Sequence, residues 1–283
     1  MRASAPPAML ARVSDALATL EAYYDTVPRA GATVVDVGPF TLFVRNDPDS
    51  WDYYARPSLG LGTPVTREDV DEVRVRQRVL GVPENLEWVH ETTPRLLAAA
   101  RSSGLTVLQC PLLVHTGVTA AGARPTVRML GPDDDVTMVV STVHAAFADT
   151  DAVDPVPAGR QAASMREGLL AMAGAYDGQG AAVGGGSHGP RGTTTELTGI
   201  GVLPRARRQG TGAALVSALV EDARARGVET VFLSAQDDTV ARVYERVGFV
   251  RVATACLASA PAPSPAPSPA PSAAPSRQGV VRP

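Results

Sequence analysis

Gly199-Ile-Gly-Val-Leu-Pro-Arg-Ala-Arg-Arg-Gln-Gly-Thr-Gly-Ala-Ala-Leu215 is the stretch whose reading decides the fold. An apolar strand ends near Pro204, an arginine-bearing turn with Gly210 and Gly212 follows, and a helix begins. Leu215, Val216, Leu219, Val220 and Ala223 recur at helical spacing and form its buried side. The first amides of a helix have no partner inside it, and they sit at the positive end of its dipole. Glycines let the oxygens of a ligand come close to the backbone, and Arg207 and Arg208 add charge. Together these make a place for an anion such as a pyrophosphate. The Lys-Ser/Thr pair of a P-loop is missing, and the chain contains no Lys at all.

The spacing Arg207-x-x-Gly210-x-Gly212, after a Val-x-Pro strand end, resembles the coenzyme A motif of the GNAT superfamily of N-acetyltransferases. Downstream, Asp237-Asp-Thr-Val-Ala-Arg-Val-Tyr-Glu-Arg-Val-Gly-Phe249 is similar to that family's second signature, Asn-x-x-Ala-x-x-x-Tyr-x-x-x-Gly-Phe. Tyr244, Gly248 and Phe249 match it; Asp237 stands at the Asn position and Val240 at the Ala position. The resemblance covers roughly Pro125 to Leu257. It implies that acetyl-coenzyme A is the acyl donor, held by Arg207, Arg208, Gln209, Gly210, Thr211, Gly212 and Ala213 at its pyrophosphate. Ile200, Gly201, Val202 and Leu203 would hold its pantetheine arm, with a backbone N–H near Val202 serving the thioester oxyanion. Tyr244 would be the general acid that protonates the leaving thiolate, and Glu196 the base that deprotonates the substrate ammonium. A ring packed on the sheet is the alternative for Tyr244, and a solvent-facing strand carboxylate for Glu196. Even offsets on a strand share a face, so Glu196 and Val202 point alike unless a bulge intervenes. An ionised Asp only accepts hydrogen bonds. Asp237 is therefore first an N-cap and second a cofactor contact.

Around these motifs the order reads β-α-α-β-β-α-β-α-β, which implies an α/β mixed sheet. The expected elements are strand 126–130, helices 134–148 and 160–176, a Gly-rich strand 181–188, strand 193–203, helix 211–226, strand 228–235, helix 238–246 and strand 249–257. His188 follows the Gly-rich run and reads as a satisfied surface histidine outside the site. No His or Cys pair has metal-ligand spacing, so no metal is expected. The segment 119–125 reads as a linker, and 258–283, nearly all Ala, Pro and Ser, as a disordered tail.

Residues 1–118 make up a segment of domain size. It carries an internal echo: Asn85 to Leu105 runs strand, helix, Gly, apolar residue, as Val228 to Phe249 does. Gly248 and Gly104 differ by 144 positions, which sets Tyr244 against Ala100 and Asp237 against Thr93. Glu68 to Leu80 is a helix followed by Gly81, with no Arg-x-x-Gly-x-Gly before it. We read a tandem arrangement, with a degenerate N-terminal copy that lacks cofactor chemistry; an unrelated cap is the alternative. Trp51, Tyr53, Tyr54 and Trp88 are either core or the lining of an acceptor groove between the halves.

The composition, 45% hydrophobic and 19% charged with a net charge of −3, is that of a globular protein. It offers no basic face for nucleic acid. Met1 to Leu20 does not read as a leader and no stretch reads as membrane-crossing, so neither is expected, and Cys110 and Cys256 read as buried free thiols of a reducing cytoplasm. The expected reaction is transfer of an acetyl group to a primary amine of a small molecule or peptide, by direct attack on the thioester. Neither cysteine lies in the motifs, which disfavours a covalent enzyme intermediate. A non-enzymatic acyl-coenzyme A sensor or interaction protein is the alternative.

Overall fold

The computed structural model describes residues 7–48, 52–117 and 126–261, with side chains from residue 15 onward. The linker at 119–125, Trp51 and all of the tail beyond Pro261 lie outside the described residues.

The N-terminal half runs α1 (Pro7–Arg29), β1 (Ala32–Val37), β2 (Phe40–Arg45), β3 (Ala55–Pro57), α2 (Arg67–Leu80), β4 (Leu86–Val89), α3 (Leu96–Ser102) and β5 (Thr106–His115). The C-terminal half runs β6 (Thr126–Met129), α4 (Val136–Phe147), α5 (Gly159–Arg166), β7 (Ala171–Tyr176), β8 (Ala182–His188) and β9 (Thr194–Val202). It ends with α6 (Thr211–Ala225), β10 (Thr230–Ser234), α7 (Asp238–Glu245) and β11 (Phe249–Ser259). No described helix is long and apolar enough to cross a membrane.

One helix expected from the sequence is two elements. The segment 160–176 turns at Gly168, whose φ of 71° no side-chain-bearing residue adopts cheaply. Past that turn the chain enters β7, which is buried almost throughout. A strand covered on both faces loses its alternation and reads as a continuous apolar run, which a helix can mimic.

All described strands join one sheet, in the order β1-β2-β3-β4-β11-β5-β10-β9-β8-β7-β6. The halves meet through their last strands. β5 and β11 pair antiparallel along ten registered positions, with a bulge between Arg251 and Ala253. Each then continues onto the other half: β5 pairs with β10 and β11 with β4, both antiparallel. The halves thus exchange their final strands. The offset of 144 seen in the sequence sets α6, β10, α7 and β11 against α2, β4, α3 and β5 to within about two residues. β3–β4 is a parallel pair, as β9–β10 is. The tandem arrangement is therefore present in the fold.

Cores lie in each half, and a third lies between them, where Leu20 and Tyr23 of α1 pack on Val89, Cys110, Leu112 and Phe232. The Gly-rich run of β8 lets helices sit directly on the sheet. A Cβ on Gly185 would come within 2.5 Å of Val139 on α4, and one on Gly186 within 3.1 Å of Leu219 on α6. His188 is a correction to the sequence reading. It is fully buried, with Nδ1 at 3.1 Å from Thr195 Oγ1 and Nε2 at 2.9 Å from Asp222 Oδ2. Burial holds its pKa below the usual histidine range against the Asp222 contact.

Candidate active site

The site arises from a strand pair that parts. β9 and β10 are paired only from Thr194 to Glu196. Beyond Glu196 the strands diverge, and β9 continues to Val202 along β8 alone. Gly199, with φ of 60°, lies at a bulge opposite the step from Gly185 to Ser187. The extra residue bends the strand away from its neighbour. The bulge therefore does intervene between Glu196 and Val202, and both residues line the gap. Leu203 N–H donates to Val183 O, so strand alternation turns the backbone groups of Val202 the other way, into the opening. There Arg207 Nε meets Val202 O at 2.9 Å.

The opening is a cleft of about 840 Å³. Ile200, Gly201, Val202, Arg207, Gly212 and Tyr244 line it, together with Leu108 and Cys110 of β5, a strand of the other half. At one end stands the start of α6. Gly210 caps this helix with φ of 81°, no side chain covers its first amides, and its first turn carries no acid. Those amides, from Thr211 on, point to the loop Arg207 to Gly210 with the positive end of the dipole. The matching helix start in the N-terminal half is closed. Thr66 Oγ1 accepts from Asp69 N at 3.2 Å, Asp69 Oδ2 accepts from Thr66 N at 2.8 Å, and Glu68 lies in the same turn. A carboxylate already occupies that dipole, so the N-terminal copy offers an anion nothing comparable.

Several residues expected at the cofactor have other partners. Arg207 is turned back: besides Val202 O, it donates to Ala146 O at 3.0 Å and to Asp149 Oδ1 at 2.5 Å. It fastens the loop to the end of α4, and Asp149 offsets its charge. Leu203 is fully buried beside Ala145 and Ala146. Gln209 Nε2 donates to Arg205 O at 3.0 Å. Arg208 is exposed and holds a left-handed φ of 61°. Asp237 caps α7, its Oδ1 accepting from Thr239 N at 2.7 Å and Val240 N at 2.9 Å; its neighbour Gln236 lines the cleft instead.

Tyr244 is half-buried, its ring edge-on to Phe249 at 6.1 Å. Burial pushes its phenol up to about 12, so at neutral pH it carries a proton to give. Cys110 lines the same cleft, which its sequence position did not suggest. Burial, then the charges of Glu87 and Asp237, raises its thiol, which keeps it from acting as a thiolate nucleophile.

Glu196 sits where the cleft meets a second cavity. This chamber, about 240 Å³, is bounded by Tyr23 and Tyr24 of α1, Tyr54, Arg56, and Glu87 and Trp88 of β4. Tyr24 Oη donates to Glu196 Oε1 at 3.1 Å, and Tyr23 Oη to Gly189 O at 2.7 Å. Burial pushes the Glu196 carboxyl up to about 8; the Tyr24 bond and Arg56 oppose the shift and Glu87 adds to it. A carboxyl shifted that far, in a cleft, is the kind of group found at functional sites. Of the aromatic residues singled out in the sequence, Tyr54 and Trp88 line this chamber, whereas the Tyr53 hydroxyl lies against Gly31. Tyr24, Arg56 and Glu87 carried no motif. Tyr24 has only its place on the helix face beside Tyr23, and its meeting with Glu196 spans 172 residues.

Residues 142–249 match the Acetyltransferase (GNAT) family. The C-terminal half is a GNAT domain. Its fold is that of acyl-coenzyme A-dependent N-acyltransferases, and the opened β9–β10 pair with the uncapped α6 lies inside the matched span. A GCN5-related N-acetyltransferase from Kribbella flavida superposes with a TM-score of 0.66 at 20% identity, over 87% of this chain and 96% of its own. That span is too long for the GNAT domain alone, so the likeness extends through the N-terminal half. A GCN5-related N-acetyltransferase from Sphaerobacter thermophilus gives 0.51 at 19% identity, over 65% of this chain and 63% of its own. A tandem GNAT protein from the clavulanic acid biosynthesis pathway gives 0.50 at 16% identity, over 78% of each chain. No curated protein matches the chain.

Proposed function

We propose that this protein transfers the acetyl group of acetyl-coenzyme A to a primary amine by direct attack on the thioester. The observation that carries the reading is the placement of Glu196 at the junction of two cavities. One is a long cleft with a helix start at its end; the other is a smaller chamber partly walled by aromatic rings. The cleft suits the donor. The amides at the start of α6 would hold the pyrophosphate, and the unpaired edge of β9 would pair with the pantetheine amides. The chamber suits the acceptor, which would reach the thioester past Glu196.

In this reading Glu196 takes the ammonium proton and frees the lone pair. The amine nitrogen bonds to the thioester carbon, and the Val202 N–H faces the oxygen that gains charge. When the C–S bond breaks, Tyr244 gives its proton to the coenzyme A thiolate; the acylated nitrogen sheds its surplus proton, which restores the phenol, and Glu196 returns its own proton to solvent. The raised Cys110 thiol supports direct transfer over an acyl-cysteine intermediate. A panel of primary amines, assayed by thiol release, tests the assignment. We expect Tyr244→Phe to lower kcat by about 10²-fold, the low end of general-acid effects, with acetyl-coenzyme A affinity retained. Full activity in Tyr244→Phe would remove that residue from the chemistry.

A further inference from the structure

The chamber wall carries two carboxyl groups, Glu196 and Glu87, and one ammonium meets only one of them. Glu196 enters it from β9 and Glu87 from β4, four strand steps apart in the sheet order. The two carboxylates therefore approach from opposite sides, and a single ammonium on one leaves the other unmatched. Arg56 is the only cationic side chain in the chamber wall among the described residues. It is 1% exposed and already paired with Glu21, which also accepts from Thr92 Oγ1 at 2.6 Å. Burial pushes the Glu87 carboxyl up to about 7, with Arg56 opposing. Like Glu196, it stays ionised most readily when a cation meets it. The rings of Tyr24, Tyr54 and Trp88 line the space between, and aromatic faces attract cations. The volume, about 240 Å³, fits a short chain molecule and is too small for a folded peptide segment.

We propose that the acceptor is a small aliphatic diamine, with one nitrogen presented to Glu196 and the other held as an ammonium by Glu87 at the far side of the chamber. This rests on the function proposed above. The first nitrogen loses its proton to Glu196 and takes the acetyl group; the second stays cationic throughout. Glu87 is then a specificity residue contributed by the half that has no cofactor site.

The test compares kcat/KM at saturating acetyl-coenzyme A for 1,4-diaminobutane, n-pentylamine and 5-aminopentanoate. These are of similar length and differ in whether the far end is cationic, neutral or anionic. The expected result is a preference of at least tenfold for the diamine over pentylamine, with 5-aminopentanoate the poorest. Glu87→Gln, checked for folding by its binding of acetyl-coenzyme A, should bring the diamine-to-pentylamine ratio close to one. Equal use of diamine and pentylamine by the wild type overturns the proposal without any variant, as does a ratio that survives in folded Glu87→Gln. If no amine is acylated although acetyl-coenzyme A binds, the proposed function falls, and this inference falls with it.

Discussion

At the residue scale, the proposed chemistry turns on Glu196. A strand carboxylate in water would titrate near the usual carboxylate range, whereas burial in the junction pushes this one up to about 8. As a base it works only when ionised. kcat/KM should therefore rise about tenfold per pH unit below that value and level off above it, because this parameter reports the free enzyme. Glu196→Gln should remove that limb and leave a slow, flatter profile. A wild-type rate that is flat between pH 6 and 8 would take Glu196 out of the proton transfer. Much of the residue-level site was legible. The motif positions Arg207, Gly212 and Tyr244 do line one cleft. What could not be read was side-chain direction. Arg207 sits where the signature places it, yet it grips β9 and the end of α4, a choice that depends on neighbours that spacing does not encode. The Asp237 cap was legible, because its partners Thr239 and Val240 follow it directly in the chain.

At the element scale, the opening between β9 and β10 and the close seating of α4 on β8 depend on glycines for different reasons. Gly199 supplies a left-handed bend, and Gly185 supplies room. Gly185→Ala would drive a methyl into Val139 and Val143. Such overpacking should destabilise the fold by about 1–3 kcal/mol, read as a lower midpoint in urea. An unchanged midpoint would mean that α4 yields freely. Periodicity or a cap makes an element legible in the sequence, as it does for α6 and α7. The segment 160–176 misleads because a strand buried on both faces has no alternation to betray it.

At the scale of the whole molecule, the exchange of β5 and β11 makes the halves a single cooperative unit. β11 ends the GNAT half yet pairs with β4, and β5 supplies Leu108 and Cys110 to the cleft of the other half. Both tryptophans, Trp51 and Trp88, lie in the N-terminal half. Tryptophan fluorescence should therefore be lost at the same urea concentration as acetyl-coenzyme A binding, and acetyl-coenzyme A should raise both midpoints together. Two separated transitions would show halves that fold independently. The repeat is visible in the sequence as a short echo at an offset of 144. The strand exchange is not, because pairing between distant strands leaves no periodic trace within either.

The central claim is that the opened strand pair and the uncapped start of α6 bind an acyl-coenzyme A. Gly212 lines that cleft, its φ lies outside the left-handed region, and an added Cβ would meet only Val202, at 3.9 Å. Gly212→Glu therefore puts a carboxylate beside the helix start without straining the backbone. Calorimetry with acetyl-coenzyme A should show one-to-one binding to the wild type and none to Gly212→Glu. A folded wild type that does not bind, or a variant that binds as tightly as the wild type, would contradict the claim.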